Sequence, residues 1–249
     1  GELIFTVDAD CRVRKTWLKS IVGFYEIHNP AFIICPVDHE NGNGLFYDLQ
    51  NIEFLSLIGS SAGAAGFGKP FMCNGANLCY KREIIDKIND PMKSSISSGD
   101  DVFLLHKVKQ LKNTPIRFIK SRDAIAYTQV SSSFMEFVSQ RIRWASKGKN
   151  YFDADSIVFM SITVAMNLLL LLFLIGCFFS LKVLALFFMV LSFKSICDYL
   201  LFQNILPFFK KKRLLLYVFP MELFITMYVS FIGIATVFYT PKWKGRTIN

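Results

Sequence analysis

The chain has 249 residues, 53% of them apolar with 26 phenylalanines, and carries a net charge of +9; this apolar excess excludes an ordinary soluble globular protein. The lysines and arginines are dispersed or flank apolar segments instead of forming an aromatic-laced basic face, so the charge does not point to nucleic acid. Cys11, Cys35, Cys73, Cys79, Cys177 and Cys197 show neither a Cys-x-x-Cys pair nor metal spacing and read as free thiols in a reducing compartment.

The apolar excess is uneven. Residues 1–150 have the composition of a mixed α/β soluble domain, whereas 156–239 is largely apolar. The chain therefore divides near Asp153 into a globular part, 1–150, and a membrane part, 151–249, with about three hydrophobic helices and a short basic tail.

At the start, Leu3-Ile4-Phe5-Thr6-Val7 reads as a buried strand that ends in Asp8-Ala9-Asp10. Two carboxylates one residue apart repel each other and resist desolvation, so they persist in water or where a cation bridges them. Oxygen donors of this kind suit Mg²⁺ or Mn²⁺, which would in turn hold substrate phosphate oxygens. An exposed Asp-rich turn is the plainer reading of the same residues. A sheet that opens on this strand lacks neighbours, so a preceding N-terminal portion is expected.

Next, Trp17, Leu18, Ile21, Val22 and Tyr25 fall near helical spacing over 15–28, and Asn29-Pro30 ends the helix. Residues 31–37 form another apolar strand. This strand-helix-strand order predicts an open, mostly parallel sheet whose ligands gather at strand ends, where Asp8 and Asp10 sit.

Beyond a loop at Gly42 and Gly44, the residues Leu45, Leu49, Ile52 and Leu55 line one helix face. That helix runs into the small-residue stretch 59–66, which reads either as a site of close backbone approach or as a flexible connector. In Asn74-Gly75-Ala76-Asn77 the glycine predicts a tight turn presenting donors to a sugar or phosphate.

A short helix over 81–88 and a polar loop over 89–98 lead to Gly99-Asp100-Asp101, at the start of a helix carrying Val102, Phe103, Leu104, Leu105 and Val108. One acid suffices to cap that helix. The second is free to act as a general base on a hydroxyl. Strand-like runs at 116–119 and 124–128 precede a helix opened by a Ser133–Glu136 capping box. This helix carries Gln140, Arg143 and Trp144, with a guanidinium fork for phosphate and a flat ring for a sugar. An interfacial membrane anchor is the alternative for such a helix.

Segments 157–179, 183–202 and 214–239 are each long and apolar enough to span a bilayer. Arg141, Arg143, Lys147 and Lys149 before the first, and Lys210 to Arg213 after the second, predict a cytoplasmic side reached by an out-and-back pair. A third full span would place Lys242, Lys244 and Arg246 outside, against the same rule, so one segment is expected to be re-entrant or interfacial, or the tail breaks the rule. Lys194, Asp198 and Glu222 read as lining a polar path, as snorkelling, or as helix–helix pairs.

Asp8-x-Asp10, Asn74-Gly75-Ala76-Asn77, Gly99-Asp100-Asp101 and Gln140-x-x-Arg143-Trp144, in this order and before apolar helices, resemble the membrane-embedded family 2 glycosyltransferases. Cellulose, chitin, hyaluronan and poly-N-acetylglucosamine synthases belong to that family. The tail Trp243-Lys244-Gly245-Arg246 is similar to the ending of many bacterial members. The resemblance implies an α/β fold, a partial GT-A (Rossmann-like) catalytic domain followed by C-terminal transmembrane helices. Its first nucleotide-binding strands have no counterpart, so this chain is expected to bind donor poorly.

The resemblance also implies an inverting enzyme with a nucleotide-sugar donor, a polysaccharide or lipid acceptor, and Mg²⁺ or Mn²⁺. Asp8 and Asp10 would hold the metal and the donor diphosphate, together with Arg143. Asp101 would be the base, supported by Asp100. Asn77, Gly75, Gln140 and Trp144 would face the acceptor. Gly-Asp-Asp stands where several members carry Thr-Glu-Asp, and the last acid is kept. Expected partners are these substrates and membrane lipid, not nucleic acid. The expected location is the inner or plasma membrane, multi-pass, with the catalytic part cytoplasmic and serving the cell envelope. A single-addition enzyme resembling ceramide glucosyltransferases is the nearest alternative, and a non-catalytic membrane scaffold or transport component is the alternative of another class.

Overall fold

A computed structural model describes residues 1–88, 100–111 and 113–238, together with the backbone of 242–243 and 246–247. The expected polar loop 89–98, Gly99, and Lys244 and Gly245 of the tail lie outside the described residues.

The fold is mixed α/β. The main sheet contains β1 (Leu3–Val7), β3 (Phe32–Ile34), β5 (Asn77–Lys81) and β6 (Ile116–Phe118), in the order β1-β5-β3-β6. β5 pairs antiparallel with both β1 and β3, while β3 and β6 pair in parallel. The expected strand-helix-strand unit is present, but β1 and β3 are not neighbours, because the later β5 inserts between them. A smaller sheet orders β2 (Arg12–Val13), β7 (Ala126–Thr128) and β4 (Val37–His39). The single strand expected over 31–37 is therefore two strands in two sheets, broken at Cys35-Pro36. Proline supplies no N–H to a ladder, and the Pro36 carbonyl instead accepts from the Ala126 N–H at 3.1 Å.

Alternation builds the layers. Phe32, Ile34, Leu78 and Tyr80 face one side, packing with Leu104, Leu105 and Val108 of α4 (Asp100–Gln110). Ile33, Cys35 and Cys79 face the other, packing with Trp17 and Ile21 of α1 (Trp17–His28). Asn29 ends α1 in the left-handed region, at φ 45°. A short α3 (Arg82–Asp86) follows β5.

α2 (Leu45–Gly66) includes the whole small-residue stretch. That stretch is helix and not a connector, and its smallness admits a neighbour: a Cβ on Gly59 would lie 3.2 Å from Leu201 of α7 (Leu181–Ile205). α5 (Phe134–Ser146) opens on Ser133, whose Oγ accepts from the Glu136 N–H at 3.2 Å. The Glu136 carboxylate reaches Ser132 instead of Ser133, one residue earlier than the capping box places it.

Among the described residues, three helices are long and apolar enough to cross a membrane: α6 (Ala154–Gly176), α7, and α8 (Val218–Phe238) with the 3-10 turn Lys212–Tyr217 before it. β8 (Lys242–Trp243) and β9 (Arg246–Thr247) pair antiparallel after them. The largest core cluster joins α2 residues Ile52, Phe54 and Leu55 to Phe202, Leu206, Phe209, Val218 and Met221, so the apolar helices and the α/β part share one core. α8 also packs on α5, where Phe137 and Tyr228 stack at 5.4 Å. Of the readings offered for Lys194, Asp198 and Glu222, helix pairing is the one realised: the Lys194 ammonium binds Asp198 on its own helix and Glu222 on α8.

Several charges expected to mark a membrane boundary are internal ties. Lys211 binds Asp38 and Asn51, and Arg213 grips both carboxylate oxygens of Asp48 at 2.7 and 3.1 Å. Buried Arg141 clasps both Glu53 oxygens, at 2.6 and 2.7 Å, joining α5 to α2. Glu53→Gln, which strands the guanidinium, is expected to cost about 3 kcal/mol. The check is thermal unfolding in detergent, and an unshifted midpoint would contradict the assignment.

Candidate active site

β1 delivers its carboxylates through a turn, in which the Cys11 N–H donates to the Asp8 carbonyl at 3.0 Å. Asp8 and Asp10 thus occupy the first and third positions of a β-turn at the open end of the strand, both exposed. Beside β1, the Thr6 hydroxyl donates to the Gly75 carbonyl at 3.0 Å. On the other side of the same turn the Gly75 N–H donates to Asp101 Oδ2 at 2.7 Å, while Asp101 Oδ1 accepts from the Val102 N–H at 2.9 Å. Gly75 is required here by proximity, because a Cβ would stand 3.2 Å from that of Asp101. The chain Thr6–Gly75–Asp101 fixes the first turn of α4 against the end of β1.

The far half of α4 is pinned equally firmly. Lys109 reaches Asp153 and Asp155 at 2.6 and 2.9 Å, and the His106 ring lies 2.8 Å from the Ser156 hydroxyl. Asp153 caps α6 by accepting from the Ser156 N–H. The helix that begins with Asp100 and Asp101 is therefore anchored at one end to the strand turn and at the other to the first long apolar helix.

Electrostatics joins these pieces into one site. Asp8 titrates above the usual carboxylate range because surrounding protein strips its water and because Asp10 and Asp101 are negative neighbours, while Lys147 and Arg143 pull the other way. Asp100 is raised by burial and by Asp101, again against Lys147. Burial lowers Lys147 and Arg143, opposed by Asp101 for the lysine and by Asp8 for the arginine. Acids from two separate segments and cations from the end of α5 thus feel one another, and the acids outnumber the cations.

Among the described residues, no group of three or more histidine, cysteine or acidic side chains gathers to cage a metal. Asp8 and Asp10 nevertheless fit Mg²⁺ or Mn²⁺, which take one or two carboxylates and complete their shell with water and substrate phosphates. The raised proton affinity of Asp8 comes first from desolvation and then from its neighbours Asp10 and Asp101, and a bound cation would offset both effects. The sign of this shift is testable. A carboxyl whose folded value is raised holds more protons in the native state, so its stability contribution is present at low pH and lost as pH rises through the raised value. Metal and diphosphate binding run the opposite way, since they need the ionised form. Between the ordinary carboxylate value and the raised one, thermal stability is expected to fall and Mn²⁺ affinity to rise as pH increases; a parallel trend would contradict the placement of Asp8.

Other expected site residues stand elsewhere. Asn77, expected to face an acceptor, is fully buried: its Oδ1 accepts from Trp17 Nε1 at 3.1 Å, and its amide donates to the Pro36 and Ala124 carbonyls at 2.7 and 2.8 Å. It is a bolt joining both sheets to α1, with both amide protons used, and no surface to offer a sugar. Gln140 accepts from Arg141, and Trp144 lies half-buried with the Arg141 guanidinium 4.2 Å over its ring and Phe54 beside it. The guanidinium thus occupies one face of that indole, and the ring also packs against the core.

In the sequence Lys147 reads only as a charge flanking an apolar segment; the signal that sets it beside the acids is its place four residues after Arg143, on the same helical face. The chain turns there from α5 into α6 through Gly148, where a Cβ would stand 2.6 Å from Met160 Sδ.

Residues 3–239 match the sequence model of the family described as Glycosyl transferase family group 2. No curated protein matches the chain.

Proposed function

Since this chain belongs to glycosyl transferase family group 2 it is a glycosyltransferase, and we propose that it is a membrane-bound, inverting, metal-dependent enzyme that moves a sugar from a nucleotide-sugar donor to a polysaccharide or lipid acceptor. The observation that carries this reading is the meeting of Asp8, Asp10, Asp100 and Asp101 with Arg143 and Lys147, drawn from three distant stretches of chain. Residues 1–150 form the catalytic part and 151–249 the membrane part. The link between α7 and α8 returns to the catalytic part through Lys211 and Arg213, as a cytoplasmic turn would.

In this reading Asp8 and Asp10 hold Mg²⁺ or Mn²⁺, which when bound supplies positive charge to the diphosphate. Arg143 and Lys147 add fixed cations where the nucleoside diphosphate departs, so charge growing on the leaving group meets a prearranged field. Asp101 takes the proton from the acceptor hydroxyl as that oxygen attacks the anomeric carbon from the side opposite the diphosphate, which inverts the configuration. Gly75 aims the carboxylate through its N–H. Asp100, exposed beside it, keeps the local charge negative. Trp144, partly exposed, is assigned to the acceptor side.

The test uses the full-length protein in membrane vesicles, with a panel of nucleotide sugars and Mg²⁺ or Mn²⁺, and reads released nucleoside diphosphate together with product size. Sugar-dependent release that a chelator abolishes is expected. A ladder of products identifies a polymerising enzyme and a single addition a lipid transferase. Release indifferent to chelation would remove the metal from the proposal.

A further inference from the structure

Away from the acidic site, a cavity of about 470 Å³ opens where α7 meets the α/β part, a volume typical of small-ligand pockets. One wall is the small-residue half of α2, another the end of α7 with Leu201 and Ile205 and, just past it, Phe208, and a third is Phe24 of α1 with Phe118 of β6. Its interior is apolar. Its polar margin is basic: Arg117 and Lys120 line it, both exposed, and no acidic side chain does. Neither cation has an acidic partner among the described residues. Ile27 and Phe67, next in sequence to the lining residues His28 and Gly66, are 78% and 89% exposed.

α7 supplies the remaining argument. It is one of the helices long and apolar enough to span a bilayer, and its end is held to the α/β part by Arg122, which donates to the carbonyls of Pro207 and Phe208 at 2.8 Å each. In a bilayer spanned by α7, a pocket walled by its last turns would lie at head-group depth, where an apolar hollow with a cationic rim matches one class of molecule. We propose that this cavity binds one anionic glycerophospholipid of the surrounding membrane, its phosphate on Arg117 and Lys120 and its acyl region against α2 and α7. The bound lipid fills the gap that the small residues leave and fastens α7 to the catalytic part.

The experiment reads lipid, not sugar transfer, so its failure leaves the enzymatic reading untouched. Full-length protein is incubated in vesicles of phosphatidylcholine with phosphatidylglycerol, purified in mild detergent, and its retained phospholipid identified by mass spectrometry. Two variants accompany it. The pair Arg117→Gln, Lys120→Gln removes the exposed cations, and Gly63→Phe fills the cavity from a position whose Cβ meets nothing within 4 Å.

Wild type is expected to retain phosphatidylglycerol in preference to phosphatidylcholine, and both variants to retain about tenfold less, with unfolding midpoints measured alongside. Should Gly63→Phe fold poorly, the surface charge pair decides alone. Equal retention in wild type and the charge pair, or equal retention of the two lipids by wild type, overturns the proposal.

Discussion

Asp101→Asn is expected to reduce sugar transfer by about 10²- to 10⁴-fold, the range a positioned general base contributes. The substitution is close to isosteric, and an asparagine carbonyl still accepts the Gly75 N–H that the carboxylate accepts at 2.7 Å, while the amide nitrogen in place of Oδ1 no longer accepts from the Val102 N–H. The Gly75 turn should therefore survive, with stability lowered by about 1 kcal/mol for the lost acceptor. What disappears is an oxygen able to take a proton. Asp100→Asn provides the contrast within the same helix turn. Asp100 is exposed and receives no comparable backbone donor from the Gly75 turn, so its loss removes negative charge without removing the base, and a much smaller decrease is expected. Release of nucleoside diphosphate and transfer of labelled sugar, measured on both variants in vesicles, separate the two roles. Undiminished transfer by Asp101→Asn would reduce that residue to a pin for the turn and leave the base to be sought in another group.

The acids were legible in the sequence because their signals are short-range. A strand pattern that stops at Asp8-x-Asp10 and a helix pattern that starts at Asp100-Asp101 can each be read within ten residues, and each acid lies where local backbone chemistry puts it. The insertion of β5 between β1 and β3 could not be read that way, since it depends on pairing across some seventy residues. The burial of Asn77 is hidden from the sequence for the same reason. An amide next to a glycine turn looks presentable to a ligand, and only the partners Trp17, Pro36 and Ala124, all distant in sequence, reveal that it is consumed by the fold.

Charges near apolar segments were the weakest reading of all. Composition says that Arg141, Lys147, Lys211 and Arg213 flank membrane-like stretches, and it says nothing about whether their heads turn to phospholipid or inward. The heads of Arg141 and Lys211 turn inward to Glu53 and Asp38, while Arg213, itself more than half exposed, reaches the buried Asp48 from the surface. A buried cation needs such a partner to offset its desolvation, and the partner can come from any part of the chain.

Lys147 is the case in which this matters most for activity, and Lys147→Met is expected to lower transfer about a hundredfold, comparable to removing one prearranged donor from a charged transition state. Methionine keeps the length and apolar stem of the side chain, so packing where α5 turns into α6 is retained while the charge is lost. The pH profile distinguishes an electrostatic role from a structural one. Lys147 holds the Asp8 and Asp100 carboxyls down against burial and their acidic neighbours; without it both rise further, and the acid limb of transfer should move to higher pH. Burial also lowers the lysine's own proton affinity, so in wild type its charge is lost earlier on the alkaline side than that of an exposed lysine, and that part of the alkaline decline should vanish in the variant. A variant that loses activity with both limbs unmoved would make Lys147 a packing residue and leave Arg143 as the cation for the diphosphate.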